Sequence, residues 1–210
     1  MIRKNNIYYI VLGLLIGVFI WLAVMSHHTP YFRFDLAITR FLQRGIDESA
    51  FPWQGLSYFV SFFGITVVAT ILILSTALVF ALNRLWRESI FIILLPLASA
   101  INYFTKTIVD RPRPDGSLIK IIEKQFDPSF PSGHTVFYTV FFGFLIAAMW
   151  HHTKISRWLK ISVTAFSIFM IVSVSFSRIY LGAHWASDVL AGYLLGGICL
   201  LILLFGYYRN

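Results

Sequence analysis

A chain of 210 residues is long enough for one domain, but its composition excludes an ordinary soluble one. Hydrophobic residues make up 58% of the sequence and charged residues only 12%, against roughly 25% in soluble domains. The formal net charge of +8 fits cytoplasmic loops and an anionic substrate better than nucleic acid in a chain this apolar. The single cysteine, Cys199, excludes an intramolecular disulfide.

The N-terminal segment predicts the first of six transmembrane helices. Arg3 and Lys4 precede an uncharged run over residues 7–25. This run is longer than the apolar core of a signal peptide, about 7–15 residues, and a poor cleavage sequence follows it. We therefore favour a membrane helix over a signal peptide, with the N-terminus in the cytoplasm because the basic residues precede the helix.

Residues 31–46 have a different pattern. Their large apolar residues fall on one helical face, and arginines lie elsewhere. The residues of that face are Phe34, Ile38, Phe41 and Leu42. The pattern predicts a short amphipathic helix at the membrane interface. An ordinary loop helix packed on the bundle is the alternative.

Five further apolar runs predict the remaining crossings. They cover residues 51–83, 89–105, 130–150, 161–177 and 185–208. A membrane helix needs about 20 residues, so the first of these has room for a tilt or an interfacial entry. Pro96 is expected to kink the next one, as membrane helices tolerate. The predicted fold class is all-α: a polytopic bundle of six transmembrane helices plus the short interfacial helix, in one domain over residues 1–210.

Counting crossings predicts the orientation of the bundle. From a cytoplasmic N-terminus, the turns at residues 83–88 and 151–160 lie in the cytoplasm, and they carry five basic residues against one acid, Glu88. The same count places three polar clusters together at the non-cytoplasmic face of the plasma membrane. These clusters are residues 106–114, 131–134 and 177–188. The pairs His27–His28 and His151–His152 lie outside them, and we interpret both as interfacial polar residues.

The first and third clusters contain cations suited to a phosphate group. Lys106 offers a point charge, while Arg113 and Arg178 can each bind two phosphate oxygens at once. A single basic residue at a helix end is usually one that reaches the interface or forms an ion pair. Three such residues beside two histidines indicate an anion site instead.

The second cluster, Pro131-Ser132-Gly133-His134, lies where a loop meets the start of the fourth predicted helix. Ser132 and Gly133 can direct backbone N–H groups at an anion there, because a helix N-terminus favours negative charge. The same four residues are equally compatible with a plain capping motif, in which Ser132 is the N-cap and no ligand binds.

His184 and Asp188 are four residues apart at the predicted start of the sixth helix, so they are expected to share a face. A carboxylate bonded to one ring nitrogen fixes the tautomer of a histidine and leaves the other nitrogen free to attack. An acid in an apolar membrane helix is itself a functional hypothesis. A metal site of two histidines and one carboxylate is the alternative, although a metal ion would repel the nearby cations.

Together the clusters resemble the three-part signature of the type 2 phosphatidic acid phosphatase superfamily. The matching residues are Lys106-x6-Arg113-Pro114, Pro131-Ser132-Gly133-His134 and Ser177-Arg178-x5-His184-x3-Asp188. Arg111 also lies in the first cluster, but the register of the signature selects Arg113. The six-helix layout is similar to bacterial phosphatases of phosphatidylglycerophosphate, undecaprenyl diphosphate and lipid A. The soluble haloperoxidase branch shares the signature but not this apolar composition.

The resemblance implies a metal-independent, two-step hydrolysis of a lipid phosphate or diphosphate, with no cofactor. It makes His184 the nucleophile that forms a phosphohistidine, Asp188 the residue that orients it, and His134 the acid that protonates the leaving oxygen. The substrate-binding residues that it implies are Lys106, Arg113, Pro114, Ser132, Gly133 and Arg178.

The predicted partners are a lipid phosphate substrate and the bilayer, with no nucleic acid and no obligatory protein partner. The alternative function is an anion-binding membrane transporter or channel without hydrolytic activity. Such a protein needs cations at its pocket but no aligned nucleophile and acid.

Overall fold

A computed structural model describes residues 2–44 and 50–209, and within these ranges every regular element is an α-helix. The described helices are α1 (Ile2–His28), α2 (Arg33–Leu42), α3 (Ala50–Phe62), α4 (Thr66–Leu82), α5 (Trp86–Ile93), α6 (Pro96–Val109), α7 (Gly133–His151), α8 (Arg157–Tyr180) and α9 (Ala186–Tyr208). The all-α prediction is therefore confirmed. Residues 45 and 46 of the predicted interfacial segment lie outside the described residues.

Five helical segments are long and apolar enough to cross a membrane. They are Asn6–His28, Trp86–Val109, Gly133–His151, Arg157–Tyr180 and Ala186–Tyr208. The pair α3 and α4 passes the same test together but is bent by 58° at the break between Phe62 and Thr66. If this bent pair is counted as one span, all six predicted crossings are present.

The third predicted crossing is interrupted at Pro96. Helix α5 ends at Ile93 and Pro96 begins α6, so the expected kink is a break between two helices. Proline lacks a backbone N–H and its ring collides with the preceding turn, which explains why a new helix starts there. The two helices still form one span over Trp86–Val109.

Helix α7 lies at the centre of the bundle and packs mainly on α8 and α9. Its contact with α9 depends on two glycines, because a Cβ at Gly192 or Gly196 would lie 2.7 Å from Thr135 or Thr139 of α7. Small residues at this spacing let membrane helices approach closely. The Gly192–Gly196 pair thus serves packing within the chain, and it places the start of α9 against the start of α7.

Helix α1 is packed into the same bundle. It contacts α9, where the Tyr8 ring stacks on Phe205 with 4.7 Å between ring centroids. Its outward residues, such as Leu14 and Trp21, are exposed, as expected for a helix whose other side faces lipid. This arrangement fits a membrane helix that belongs to the fold.

Helix α2 is amphipathic as predicted, but two of its polar residues face the protein. Asp35 and Thr39 are fully buried, and α2 contacts α8 and α9. Phe34 and Phe41 are exposed. Both predictions are therefore partly right, because the helix packs on the bundle and also presents an apolar face that a membrane interface would cover.

Candidate active site

The three polar clusters meet at one end of the bundle. Lys106 lies in the last turn of α6 and Arg178 in the last turn of α8. His134 and Asp188 lie in the first turns of α7 and α9. The ends of two helices and the starts of two others thus bring these side chains together, as the crossing count predicted.

A cavity of about 610 Å³ lies between these helix ends. Six predicted site residues line it: Lys106, Arg113, Gly133, His134, Arg178 and His184. Helices α4, α6 and α7 contribute mostly small or apolar residues to the wall, such as Ala69, Ile73, Tyr103 and Phe137. The break between α3 and α4 and the segment between α6 and α7 complete it, the latter with Glu123, Gln125 and Asp127. The cavity therefore joins a cationic end to a groove between α4 and α6.

Three predicted site residues, Pro114, Ser132 and Asp188, are buried behind the cavity wall. The Ser132 N–H donates to the Asp188 carbonyl at 3.0 Å, so it does not face an anion as predicted. Ser132 is the N-cap residue of α7, as the plain capping interpretation predicted, but its hydroxyl accepts from Thr135 Oγ1 at 3.0 Å instead of capping a backbone N–H. Gly133, the first residue of α7, does reach the cavity.

His184 lies in the loop between α8 and α9, not on the last helix as predicted, because α9 begins only at Ala186. Its ring is almost fully buried, and Nε2 lies 3.2 Å from Arg113 Nη1 at the cavity. Its Nδ1 lies 3.7 Å from Asp188 Oδ2 and has no hydrogen-bond partner among the described residues. The predicted pair are neighbours, but the hydrogen bond is not formed.

The missing hydrogen bond has a physical reason, since other donors engage the Asp188 carboxylate. Oδ1 accepts from Arg111 Nη1 at 2.5 Å, and Oδ2 accepts from the Trp185 N–H at 2.9 Å and from the Ser129 hydroxyl. These donors fix the carboxylate beside the His184 ring, with Oδ2 3.7 Å from Nδ1, which is too far for a hydrogen bond.

The surroundings of His184 favour its neutral form. Burial lowers the pKa of the imidazole well below its ordinary value, and the nearby cations Arg113, Lys106 and Arg178 lower that pKa further. A neutral ring keeps a lone pair on the nitrogen that faces the cavity, which a nucleophile requires.

His134 is held at the cavity by the break between α3 and α4. Its Nε2 lies 3.1 Å from the Ser61 carbonyl oxygen. Gly64 lies against the other side of the ring, where any Cβ would overlap the imidazole. A residue without a side chain is therefore required at Gly64 for His134 to keep its place.

Two acids from the segment between α6 and α7 pair with the cations of the cavity. Asp127 lies 3.0 Å from Lys106 Nζ and 2.7 Å from Arg113 Nη2. Glu123 accepts two hydrogen bonds from Arg178, each at 3.0 Å. The carboxylates therefore sit beside the cations, as phosphate oxygens would.

Both acids are ionised at neutral pH. Burial alone would raise the pKa of Asp127, but Lys106 and Arg113 outweigh it and hold that pKa at about 2. The pKa of Glu123 is also lowered, because hydrogen bonds from Arg178 and the attraction of its charge exceed the opposing effect of burial.

The segment that carries these acids is fixed to the loop before His184. The N–H groups of Ile122 and Glu123 both donate to the Leu181 carbonyl at 3.0 Å. Gly182 follows with a positive φ of 68°, and a Cβ there would collide with the Lys120 carbonyl. A change in this segment is therefore expected to reach the His184 loop.

Sequence reasoning missed Arg111, Asp35, Glu123 and Asp127. Arg111 was set aside on the register of the signature, yet it is almost fully buried and contacts Asp188. The acids carry no motif, so pattern alone gives no signal for them. One general signal was available: buried cations need counter-ions, and the segment after α6 carries four acids, Asp110, Asp115, Glu123 and Asp127.

Among the described residues, no three His, Cys, Asp or Glu side chains are arranged to hold a metal ion. The alternative of a site with two histidines and one carboxylate therefore has no supporting ligand group in that part of the chain. Independence from metal ions stays a prediction about activity.

Comparison with known proteins gives a consistent result. A family model described as the PAP2 superfamily matches residues 87–210. A protein of Escherichia coli (strain K12) named "Putative undecaprenyl-diphosphatase YbjG" is 31% identical over 155 residues, which is 70% of each chain. Phosphatidylglycerophosphatase B of Bacillus subtilis (strain 168) is 30% identical over 121 residues, or 56% of each chain.

A solved structure supports the fold. The crystal structure of the first transmembrane PAP2 type phosphatidylglycerolphosphate phosphatase from Bacillus subtilis has a TM-score of 0.76 to this chain at 21% identity. The match covers 94% of this chain and 96% of that one. The helical arrangement described above is therefore that of a known membrane protein.

Proposed function

The chain belongs to the PAP2 superfamily, and we propose that it is a membrane phosphatase that hydrolyses the phosphate or diphosphate group of a lipid. The observation that carries the proposal is the cavity, which has three cations and two histidines at one end and a mostly apolar groove at the other. The cations suit a phosphate group, and the groove suits the start of a lipid chain.

In the first step of the proposed reaction, His184 Nε2 attacks phosphorus. A P–N bond forms, the bond from phosphorus to the leaving oxygen breaks, and His134 gives that oxygen a proton. The geometry supports these roles, because Nε2 is the His184 atom beside Arg113 and both rings line the cavity. Lys106, Arg113 and Arg178 are placed to neutralise the charge that builds up on the phosphoryl oxygens.

In the second step, water attacks the phosphohistidine. His134 now accepts a proton from the water, the P–N bond breaks, and inorganic phosphate leaves with His184 restored to its neutral form. The net reaction consumes one water and needs no redox or metal partner.

Substrate binding requires a rearrangement of the ion pairs. Asp127 and Glu123 occupy positions beside Lys106, Arg113 and Arg178. A phosphate that bound the same cations would repel both carboxylates, so we infer that the two acids move back when the substrate enters.

We also infer that the site faces the non-cytoplasmic side of the plasma membrane. The opposite end of the bundle carries the turns at residues 83–88 and 151–160, with five basic residues and one acid. The positive-inside rule supports placing that end in the cytoplasm.

The alternative of a transporter without hydrolytic activity is not favoured by any feature of the described cavity. An anion pathway makes use of the three cations but gives no reason for two imidazoles beside them. The two histidines therefore favour the phosphatase over the transporter.

The test is phosphate release by the purified protein in one detergent with a metal chelator present. The substrates are phosphatidylglycerophosphate, undecaprenyl diphosphate, phosphatidate and lipid A. We expect turnover of at least one of them, lost in His184→Ala and kept in His28→Ala, an exposed histidine at the same end of the bundle. Anion binding without hydrolysis of any substrate would support the transporter instead.

A further inference from the structure

We propose that Arg111 is a positioning residue for the His184–Asp188 pair, and that Asp35 holds Arg111 in place. The inference deepens the proposed function and depends on it. Neither Arg111 nor Asp35 lines the cavity, so both would act through Asp188.

The Arg111 guanidinium joins three parts of the chain in a fully buried position. It donates to Asp188 Oδ1 at 2.5 Å, to the Ser187 hydroxyl at 2.7 Å and to Asp35 Oδ2 at 3.1 Å. Its Nε donates to the Thr29 carbonyl at 3.2 Å. An arginine used along several of its donor directions is rigid, which makes it suitable for fixing a carboxylate.

Asp35 does more than cap its own helix. It accepts from the Phe32 N–H at 2.9 Å, as a residue in the first turn of α2 can. It also accepts from the Ser187 N–H at 2.7 Å and the Ser187 hydroxyl at 2.8 Å. Asp35 thereby ties α2 to the residue directly before Asp188.

The buried charges explain why both partners are needed. Asp35 and Asp188 are completely shielded from solvent, and Arg111 is the cation that contacts both. Two buried carboxylates without that cation would repel each other at high cost, since charge is poorly screened in a low-dielectric interior. Without Asp35, the guanidinium would lose one of its two anionic partners and part of its orientation.

The position of Asp188 matters because of the open distance to His184. Nδ1 of His184 is buried, has no hydrogen-bond partner within the described part of the chain and lies 3.7 Å from Asp188 Oδ2. When Nε2 becomes bonded to phosphorus, the ring gains positive charge and its Nδ1–H needs an acceptor. A carboxylate held by Arg111 is already beside that atom, so little reorganisation is required.

Arg111 and Arg113 thus hold the two ends of the pair. Arg113 Nη1 lies beside the Nε2 atom of His184, and Arg111 Nη1 is bonded to Asp188. Both arginines come from the short segment after α6. The alternative is a purely structural ion cluster that fastens α2 to α9, in which case its removal would lower stability and leave turnover by the folded protein unchanged.

A double-mutant cycle on the full-length enzyme separates these interpretations. Arg111→Gln is expected to lower kcat for a lipid phosphate by about 10- to 100-fold, a usual loss for a residue behind the reacting group, with little change in KM. In an Asp188→Asn background, the same substitution is expected to cost far less, because its effect passes through the carboxylate. Arg111→Lys should recover part of kcat, since it keeps the charge but loses the fork.

Arg33→Gln is the matched control, because Arg33 is an exposed arginine at the start of α2. Its kcat should equal that of the parent, and melting temperatures of all variants report folding. If Arg111→Gln does not fold, Asp35→Asn replaces it, with a smaller loss of kcat and the same dependence on Asp188.

Equal losses in the two backgrounds, a rise in KM alone, or parental kcat in a folded variant would overturn the positioning role. These outcomes leave the proposed function intact, because that function fails only if the parent enzyme hydrolyses no lipid phosphate.

Discussion

At the scale of single residues, the candidate site combines a neutral nucleophile with several fixed cations. His184 is buried among Arg113, Lys106 and Arg178, so protonating it would place a fourth positive charge among them. The cations that we propose to bind phosphate therefore also favour the neutral imidazole that the proposed attack requires. Burial is the larger cause of the lowered His184 pKa, and the cations add to it.

The pH dependence of kcat/KM follows from this environment. Because the pKa of His184 is lowered, the ring is protonated only at pH values below its ordinary 6.5 and is neutral above them. We expect the acid limb due to His184 to lie below pH 6.5. A lipid monoester and a lipid diphosphate ionise at different pH values. An acid limb that both substrates show therefore reports on the enzyme and not on the substrate. A shared acid limb centred above pH 6.5 would show that His184 is not the neutral nucleophile.

The role of His134 is tested by the leaving group. An alkoxide from a lipid monoester is a strong base and needs a proton, whereas the phosphate leaving group of a diphosphate departs with little help. General acid catalysis contributes roughly 10²–10⁴-fold, so His134→Ala should lose most of that factor on a monoester and much less on a diphosphate. Steady-state kcat/KM for both substrates gives the ratio. Equal losses on both would remove His134 from the acid role.

Residue identities were predictable only where chemistry and motif coincide. Lys106, Arg113, His134, Arg178 and His184 carry charges or imidazoles that are unusual in an apolar chain, and all five line one cavity. The direction of the Ser132 N–H was mispredicted, because it depends on the neighbouring helix, which sequence does not show. The acids were missed because an ion pair is a property of two distant segments.

At the scale of elements, the segment between α6 and α7 has the clearest influence on the site. It carries Glu123 and Asp127 and is anchored to the Leu181 carbonyl. Its carboxylates sit beside Lys106, Arg113 and Arg178, the cations that we propose to bind phosphate. The segment therefore competes with an anion for the same positive charges.

Asp127→Asn is expected to strengthen inhibition by inorganic phosphate. The Asp127 side chain is 52% exposed, so its two ion pairs are partly screened and together worth about 0.5–1 kcal/mol, equivalent to a gain of about two- to fivefold in phosphate affinity. The inhibition constant of phosphate measures the change. Asp115→Asn is the control. Asp115 is an exposed acid of the same segment, and its carboxylate accepts a local hydrogen bond from the Ser117 N–H. Weaker inhibition in Asp127→Asn would mean that the carboxylate organises the cations instead of competing for them.

The approximate extent of each span was predictable from the apolar runs. The exact helix ends were not, because they depend on local geometry. The break at Pro96 and the loop position of His184 both depend on how the chain turns at the end of a helix. The face of α2 was ambiguous because Asp35 has a buried cationic partner, Arg111, more than 70 residues away in sequence. An amphipathic pattern identifies two faces, and only the tertiary partners decide which one is inside.

At the scale of the whole molecule, the site is predicted to face the non-cytoplasmic side of the membrane. If the bent α3–α4 pair is one span, six crossings and the positive-inside rule predict that the loop after α6 lies outside the cytoplasm and the α7–α8 turn inside it. These two surfaces lie at opposite ends of α7, so a single experiment can compare them.

Single-cysteine labelling in a Cys199→Ala background tests the orientation. Gly116→Cys and Thr153→Cys introduce thiols at exposed positions on the two ends. With a membrane-impermeant reagent on intact cells, we expect Gly116→Cys to be labelled and Thr153→Cys to be labelled only after disruption of the membrane. The reverse pattern would invert the topology while leaving the geometry of the site unchanged.

The most direct test of the central claim is to trap the phosphorylated enzyme. Purified protein is mixed with a lipid phosphate that it hydrolyses, in the presence of a chelator, and quenched within one turnover under conditions that preserve phosphohistidine. Peptide mapping by mass spectrometry then locates the phosphoryl group. We predict one phosphoryl group on His184, absent in His184→Ala. Turnover without a phosphorylated residue, or a phosphoryl group on any residue other than His184, would contradict the account.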